Sequence, residues 1–315
     1  AYFVYLTAKI IFKREEKVEL IALSAAALIG FSPDLIEIAA MLMTETLYIF
    51  FWTGLIWYFF DFFDKNRIAV NRAWLYTLLL GGLGGLAVLA RPPVLFVLPV
   101  IFGFFLIKRK IKLLIILLVA LGAVFTPWTV RNYLAFEKIM PFGGAGAYNF
   151  WIGNHAGATG EQDKPEEVEE FIAKYGAYLV SAKSIDEFKI FVRDYPLDFA
   201  RLTLLRVNRY FSFARPMGFW FYSNGLAQLV FVLSSALFAF ILFTAALIGA
   251  FKLWRQRDSF LNYLLAFTVL TPLILFITVV ETRYRFQIYP LLALWAAFGL
   301  VWFGGTGQWW KNKTL

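Results

Sequence analysis

A chain of 315 residues that is 61% hydrophobic and only 16% charged departs from the roughly 45–50% apolar and about 25% charged composition of ordinary soluble domains, and reads as an integral membrane protein. Its net charge of +9 is no nucleic-acid signature, because most Lys and Arg fall in short joints between apolar runs, where they set membrane orientation. The absence of cysteine excludes disulfides and thiolate chemistry, and the single His155 leaves no histidine cluster for zinc.

In chain order the apolar runs are Ala1–Phe12, Val18–Phe31, Glu45–Phe63, Ala73–Ala90, Val94–Ile107, Leu113–Pro127, Leu226–Phe251, Phe260–Val280 and Phe286–Phe303. Ala1–Phe12 has no basic n-region and no cleavage site, so it is not a signal peptide. It is expected to be the end of a truncated helix, with further membrane helices upstream. Pro92-Pro93 cannot continue a helix and should mark a tight helical hairpin. Gly81-Gly82-Leu83-Gly84-Gly85 lies inside a run and suits close helix packing.

Nine crossings make the joints alternate in side. One set holds Lys13/Arg14/Lys17, Lys65/Arg67/Arg72, Lys108/Arg109/Lys110/Lys112, Lys252/Arg255/Arg257 and Lys311/Lys313. It is basic throughout and so is expected to be cytoplasmic. The other set holds Ser32–Thr44, Arg91, the long segment Thr129–Gly225, and Glu281–Arg285. The expected organisation is an all-α polytopic membrane protein. Residues 1–128 form the first half of a transmembrane bundle, 129–225 a mostly helical extracytoplasmic domain, and 226–315 the last membrane helices with a short cytoplasmic tail.

Within 129–225, Gly143-Gly144-Ala145-Gly146 and Gly153–Gly160 read as loops. Pro165–Lys183 reads as one amphipathic helix with acids in its first turns. Pro196–Phe213 suits a helix on the membrane surface. Its Arg201 and Arg206 either snorkel or meet a lipid phosphate.

Candidate chemistry lies in the outer set. Glu45 opens an apolar helix; it either complements the helix dipole or faces an external cavity as a catalytic carboxylate. Asp34 and Glu37 read as solvated loop acids. Arg91 and Arg131 either anchor at the interface or bind substrate. Glu281-Thr282-Arg283-Tyr284-Arg285 puts three charges in the joint of a hydrophobic hairpin. Glu281 can pair with one guanidinium, which leaves the other seeking an anion, and that planar fork suits phosphate. Walker A, dinucleotide-binding and HExxH motifs are absent. No run of carboxylates sits mid-membrane, which counts against ion transport.

Taken together, Thr126-Pro127-Trp128-Thr129-Val130-Arg131-Asn132-Tyr133, Asn149-Phe150-Trp151-Ile152-Gly153-Asn154 with Ala158-Thr159-Gly160, and Glu281–Arg285 before Tyr289-Pro290 resemble a known family. They look like the membrane glycosyltransferases of the protein O-mannosyltransferase and aminoarabinose transferase type. Met43-Thr44-Glu45-Thr46-Leu47 and Leu89-Ala90-Arg91-Pro92 fit the same ordered pattern. His155 stands where relatives often have Asn.

The resemblance implies a GT-C fold in a plasma (inner) membrane, with its active face extracytoplasmic. It implies a polyprenyl-phosphate sugar donor and a protein, lipid or glycan acceptor. Arg91, Arg131, Glu281, Arg283 and Arg285 lie in the matching motifs and would serve the lipid phosphate, Arg201 and Arg206 would join them from the surface helix if its arginines meet phosphate, and Glu45 matches a second acidic position of the family. The family's usual base lies in a first external loop that this sequence lacks. No cofactor is implied with certainty, and a divalent cation stays open. The rival class is a non-enzymatic transporter or cell-envelope assembly scaffold.

Overall fold

The computed structural model describes residues 1–41, 43–137, 139, 147–161, 165–176, 179–213, 225–256 and 258–304. Gly143–Gly146, Arg257, Lys311 and Lys313 of the sequence reading lie outside them. The described residues are helical, without strands. The order is α1 (Tyr2–Ile11), α2 (Val18–Gly30), α3 (Pro33–Ala40), α4 (Thr44–Asp64), α5 (Ala73–Ala90), α6 (Leu98–Ile107) and α7 (Ile111–Phe136). There follow α8 (Tyr148–Gly153), α9 (Glu166–Tyr175), α10 (Val180–Asp194), α11 (Pro196–Phe211), α12 (Leu226–Leu253), α13 (Ser259–Ile277) and α14 (Tyr289–Gly304). Short 3₁₀ turns occupy Pro92–Phe96 and Thr282–Gln287. This is an all-α polytopic membrane protein.

All nine apolar runs become helix, but length divides them. Among the described residues five helices (α4, α5, α7, α12 and α13) are long and apolar enough to cross a bilayer. A sixth span arises if α2 and α3, bent by 52°, count as one. The remaining apolar helices are short. Among the described residues, five or six spans thus pass on length and composition, against the nine crossings that the sequence suggests.

The α2–α3 bend has a local cause. Ser32 caps α3, its side chain accepting from the Leu35 amide at 3.4 Å, and Pro33 takes the first helical position. The bend carries Asp34 inward.

Two helix pairs approach at backbone distance. A Cβ on Gly299 of α14 would lie 2.2 Å from the Ala245 carbonyl oxygen of α12, and one on Gly249 would lie 2.0 Å from that of Trp295. Glycine here permits contact no side chain would allow. The run 81–85 does the same for α5 against α7, where a Cβ on Gly81 would lie 2.5 Å from the Leu117 oxygen. The main partner of α5 is thus α7. The turn at Pro92-Pro93 hands the chain to α6 without the tight α5–α6 hairpin expected. Aromatic rings fill the middle of the bundle: Phe59 meets Tyr263 and Phe267 edge-on at 5.2 and 5.3 Å.

Ion pairs tie three of the basic joints together at one end. Lys13 pairs with Asp64, and Arg14 lies 3.8 Å from Asp258. The joints at Ser32–Thr44, Arg91 and Glu281–Arg285 meet at the other end.

Two expectations for 129–225 change. The helix through Pro127 does not stop there; α7 runs on to Phe136. Threonines beside the proline bond back to helix carbonyls, Thr126 to Gly122 at 3.1 Å and Thr129 to Phe125 at 2.9 Å, which helps a membrane helix tolerate the missing amide. The single helix over Pro165–Lys183 is two, α9 and α10, parted at Gly176 with φ +81°.

Candidate functional site

The site grows from one face of α4. Glu45, Tyr48 and Trp52 lie at i, i+3 and i+7, so they share a helical face. That face meets the turn Thr282–Gln287. Trp52 Nε1 donates to the Gln287 carbonyl at 3.0 Å, and the Tyr48 hydroxyl donates to Gln287 Oε1 at 3.2 Å. Both aromatic residues are fully buried. These bonds fix the register of α4 against the turn and bring Glu45 opposite Arg283, whose Nε is 3.7 Å from Glu45 Oε1.

Arg91 completes the cluster from the end of α5, its Nη2 paired with Glu45 Oε1. Pro92 after it excludes helical backbone at Arg91, which is extended with φ −151° and ψ 114°. Glu281 binds the Arg283 Nε at 2.6 Å. The Tyr284 ring lies near both guanidiniums, 5.3 Å from Arg91 and 5.6 Å from Arg283. Burial would lower the Arg283 pKa, but the Glu281 and Glu45 carboxylates and the neighbouring Tyr284 outweigh it and raise it. The Glu45 side chain keeps 4% exposure, whereas those of Arg91, Arg283 and Glu281 keep 16–18%. The acid thus forms the floor and the guanidiniums the rim.

Arg285 points elsewhere. It is 1% exposed, donates through Nη1 to the Ser212 carbonyl, and has its Nη2 3.8 Å from Asp34 Oδ2. Asp34 is no solvated loop acid: it is 1% exposed. It accepts from the Ser235 hydroxyl at 2.7 Å and the Tyr289 hydroxyl at 2.9 Å. The guanidinium that Glu281 leaves unpaired is therefore met by a buried protein carboxylate. Arg285 sits behind the cluster and not on its rim.

The other arginines are not brought in. Arg206 is fully buried. It donates to the Gly153 and Phe276 carbonyls and to Asn154 Oδ1, while Asn154 donates to the Ile277 carbonyl at 3.0 Å. These bonds cap the end of α13. Burial, with Arg209 beside it, lowers the Arg206 pKa to about 10. A phosphate on the membrane surface cannot reach it, which corrects that expectation. Arg131 is exposed on the extension of α7 and lies 5.4 and 5.7 Å from the rings of Trp128 and Phe136. Arg201 is on the exposed face of α11. Among the described residues no three acidic or histidine side chains gather as metal ligands.

Sequence reasoning missed Asp34, Tyr48, Trp52 and Tyr284. The i, i+3, i+7 spacing could have linked Glu45 to the two aromatics, but an apolar helix offers many such triplets. Nothing around Asp34 marked it as buried, since the bend at Ser32-Pro33 decides its direction.

Residues 1–130 match the family model described as dolichyl-phosphate-mannose-protein mannosyltransferase. The match includes Glu45 and Arg91 and ends before Glu281–Arg285. No curated protein and no solved structure matches the chain.

Proposed function

We propose that this chain is a membrane glycosyltransferase that takes a sugar from a polyprenyl-phosphate donor and transfers it to a hydroxyl-bearing protein, lipid or glycan. The observation that carries this reading is the meeting of Glu45, Arg91, Arg283 and Glu281 at one end of the bundle. The match over residues 1–130 to a family described as using dolichyl-phosphate-mannose supports it. In such a transfer the C1–O bond between sugar and phosphate breaks, and negative charge grows on the leaving phosphate. Guanidiniums fixed in advance by carboxylates and by Tyr284 need little reorganisation to meet that charge.

Glu45 and Glu281 balance the two arginines. The cluster therefore binds phosphate by exchange with a carboxylate contact, and guanidinium geometry, more than net charge, selects the ligand. Glu45 is also the buried acid nearest the rim and a candidate to accept the acceptor hydroxyl's proton. The lipid-borne donor would approach from the membrane, with the active face extracytoplasmic and the basic joints cytoplasmic.

The test is chemical. Purified protein given a polyprenyl-phosphate sugar and an acceptor should release polyprenyl phosphate with one sugar transferred per phosphate freed. A protein that moves the lipid-linked sugar across a bilayer without cleaving it would be the rival transporter, and this reading would be withdrawn.

A further inference from the structure

At the opposite end of the bundle, α6 and α13 run antiparallel and leave a groove of about 400 Å³, open to one side. Val100, Gly103 and Ile107 line it from α6, and Asn262, Tyr263 and Ala266 from α13. The volume is within the roughly 300–1,000 Å³ of ordinary ligand sites. From Ile107 to Pro99 the groove follows α6 for about 12 Å. One leaflet's hydrocarbon depth is roughly 15 Å, half of the core. Gly103 keeps the groove open, since a Cβ there would meet no heavy atom within 4 Å.

The groove ends at a basic turn. Lys108, Arg109 and Lys110 follow Ile107 directly, and all three are exposed. Arg109 is in the left-handed region with φ +54°. Its turn is closed by Arg109 N–H to the Leu106 carbonyl and Lys110 N–H to the Phe105 carbonyl, both 2.9 Å. Glycine is the usual residue there, so an arginine is held in a conformation that opposes it. On the α13 side, Asp258 caps the helix through the Phe260 amide and lies 3.8 Å from Arg14. Lys13 sits 5.2 Å from the centre of the Phe260 ring. The nearby acid is thus faced by its own cation, and among the described residues no acid pairs with the three basic residues after Ile107.

We infer that this groove binds one anionic phospholipid, with an acyl chain along α6 and its phosphate headgroup on the Lys108–Lys110 turn. Orientation alone accounts for basic residues in a loop. It accounts neither for a groove of leaflet depth beneath them nor for the strained arginine at its mouth. Basic pockets between membrane helices are a known mode of anionic headgroup capture. The inference is independent of glycosyl transfer at the other end.

The experiment is native mass spectrometry of the detergent-purified protein titrated with phosphatidylglycerol or, separately, phosphatidylcholine. The expected result is one phosphatidylglycerol retained per chain and no retained phosphatidylcholine. Replacing Lys108, Arg109 and Lys110 together by Gln should weaken retention on the order of a hundredfold. Gly103→Leu should remove it by filling the groove. Val100→Trp, from the same wall, serves if Gly103→Leu fails to fold. Equal retention of both lipids, or undiminished retention by a folded groove-filled variant, would overturn the inference.

Discussion

At the scale of single residues, two buried carboxylates organise the end of the bundle that holds the cluster. Glu45 holds the rim arginines Arg91 and Arg283, and Asp34 holds Arg285 behind them. Breaking a buried ion pair from one side leaves an uncompensated charge and costs about 3–5 kcal/mol. Asp34→Leu and Arg285→Met are each expected to destabilise the protein on that order. The double variant should lose less than the sum, with a coupling of about 0.5–3 kcal/mol. Unfolding midpoints of the four proteins in one detergent measure this, and strict additivity would remove Asp34 as the partner of Arg285. The sequence could say that Glu281 serves one guanidinium and leaves another. It could not say which, because Arg283 and Arg285 differ only in how the turn Thr282–Gln287 aims them.

At the scale of elements, two glycines set how closely α12 and α14 pack. Gly299→Ala puts a methyl 2.2 Å from the Ala245 oxygen and is expected to cost about 1–3 kcal/mol through overpacking. Gly82 is next to the crowded Gly81, yet a Cβ added to it would meet nothing within 4 Å. Gly82→Ala should be neutral, or stabilising by up to about 1 kcal/mol from helix propensity. A destabilising thermal shift of equal size for both would contradict the packing described. The apolar runs were legible as helices because hydrophobicity survives without tertiary information. Their lengths and partners were not. Flanking threonines carry α7 past Pro127, and Gly176 divides one amphipathic pattern into two helices. Arg206 looked like an outward cation because its acceptors are mostly backbone carbonyls, which no side-chain pattern reveals.

At the scale of the whole molecule, the joints segregate into a basic end and an end holding the Glu45 cluster. The absence of native cysteine makes their sidedness simple to read. Cysteine placed at exposed Arg201 should react with a membrane-impermeant maleimide in intact cells. Cysteine at exposed Lys110 should react only after permeabilisation. The reverse pattern would put the cluster on the cytoplasmic side and rule out an extracytoplasmic acceptor.

The rim arginines are assigned to meet a leaving phosphate, and turnover of a polyprenyl-phosphate sugar by purified arginine variants tests this most directly. Arg91→Ala and Arg283→Ala should each lower kcat by about 10²–10³-fold, as removal of a preorganised charge-stabilising donor does. Arg131→Ala and Arg201→Ala, outside the cluster, should leave turnover near wild type. Full turnover by a folded Arg283→Ala variant would contradict the assignment.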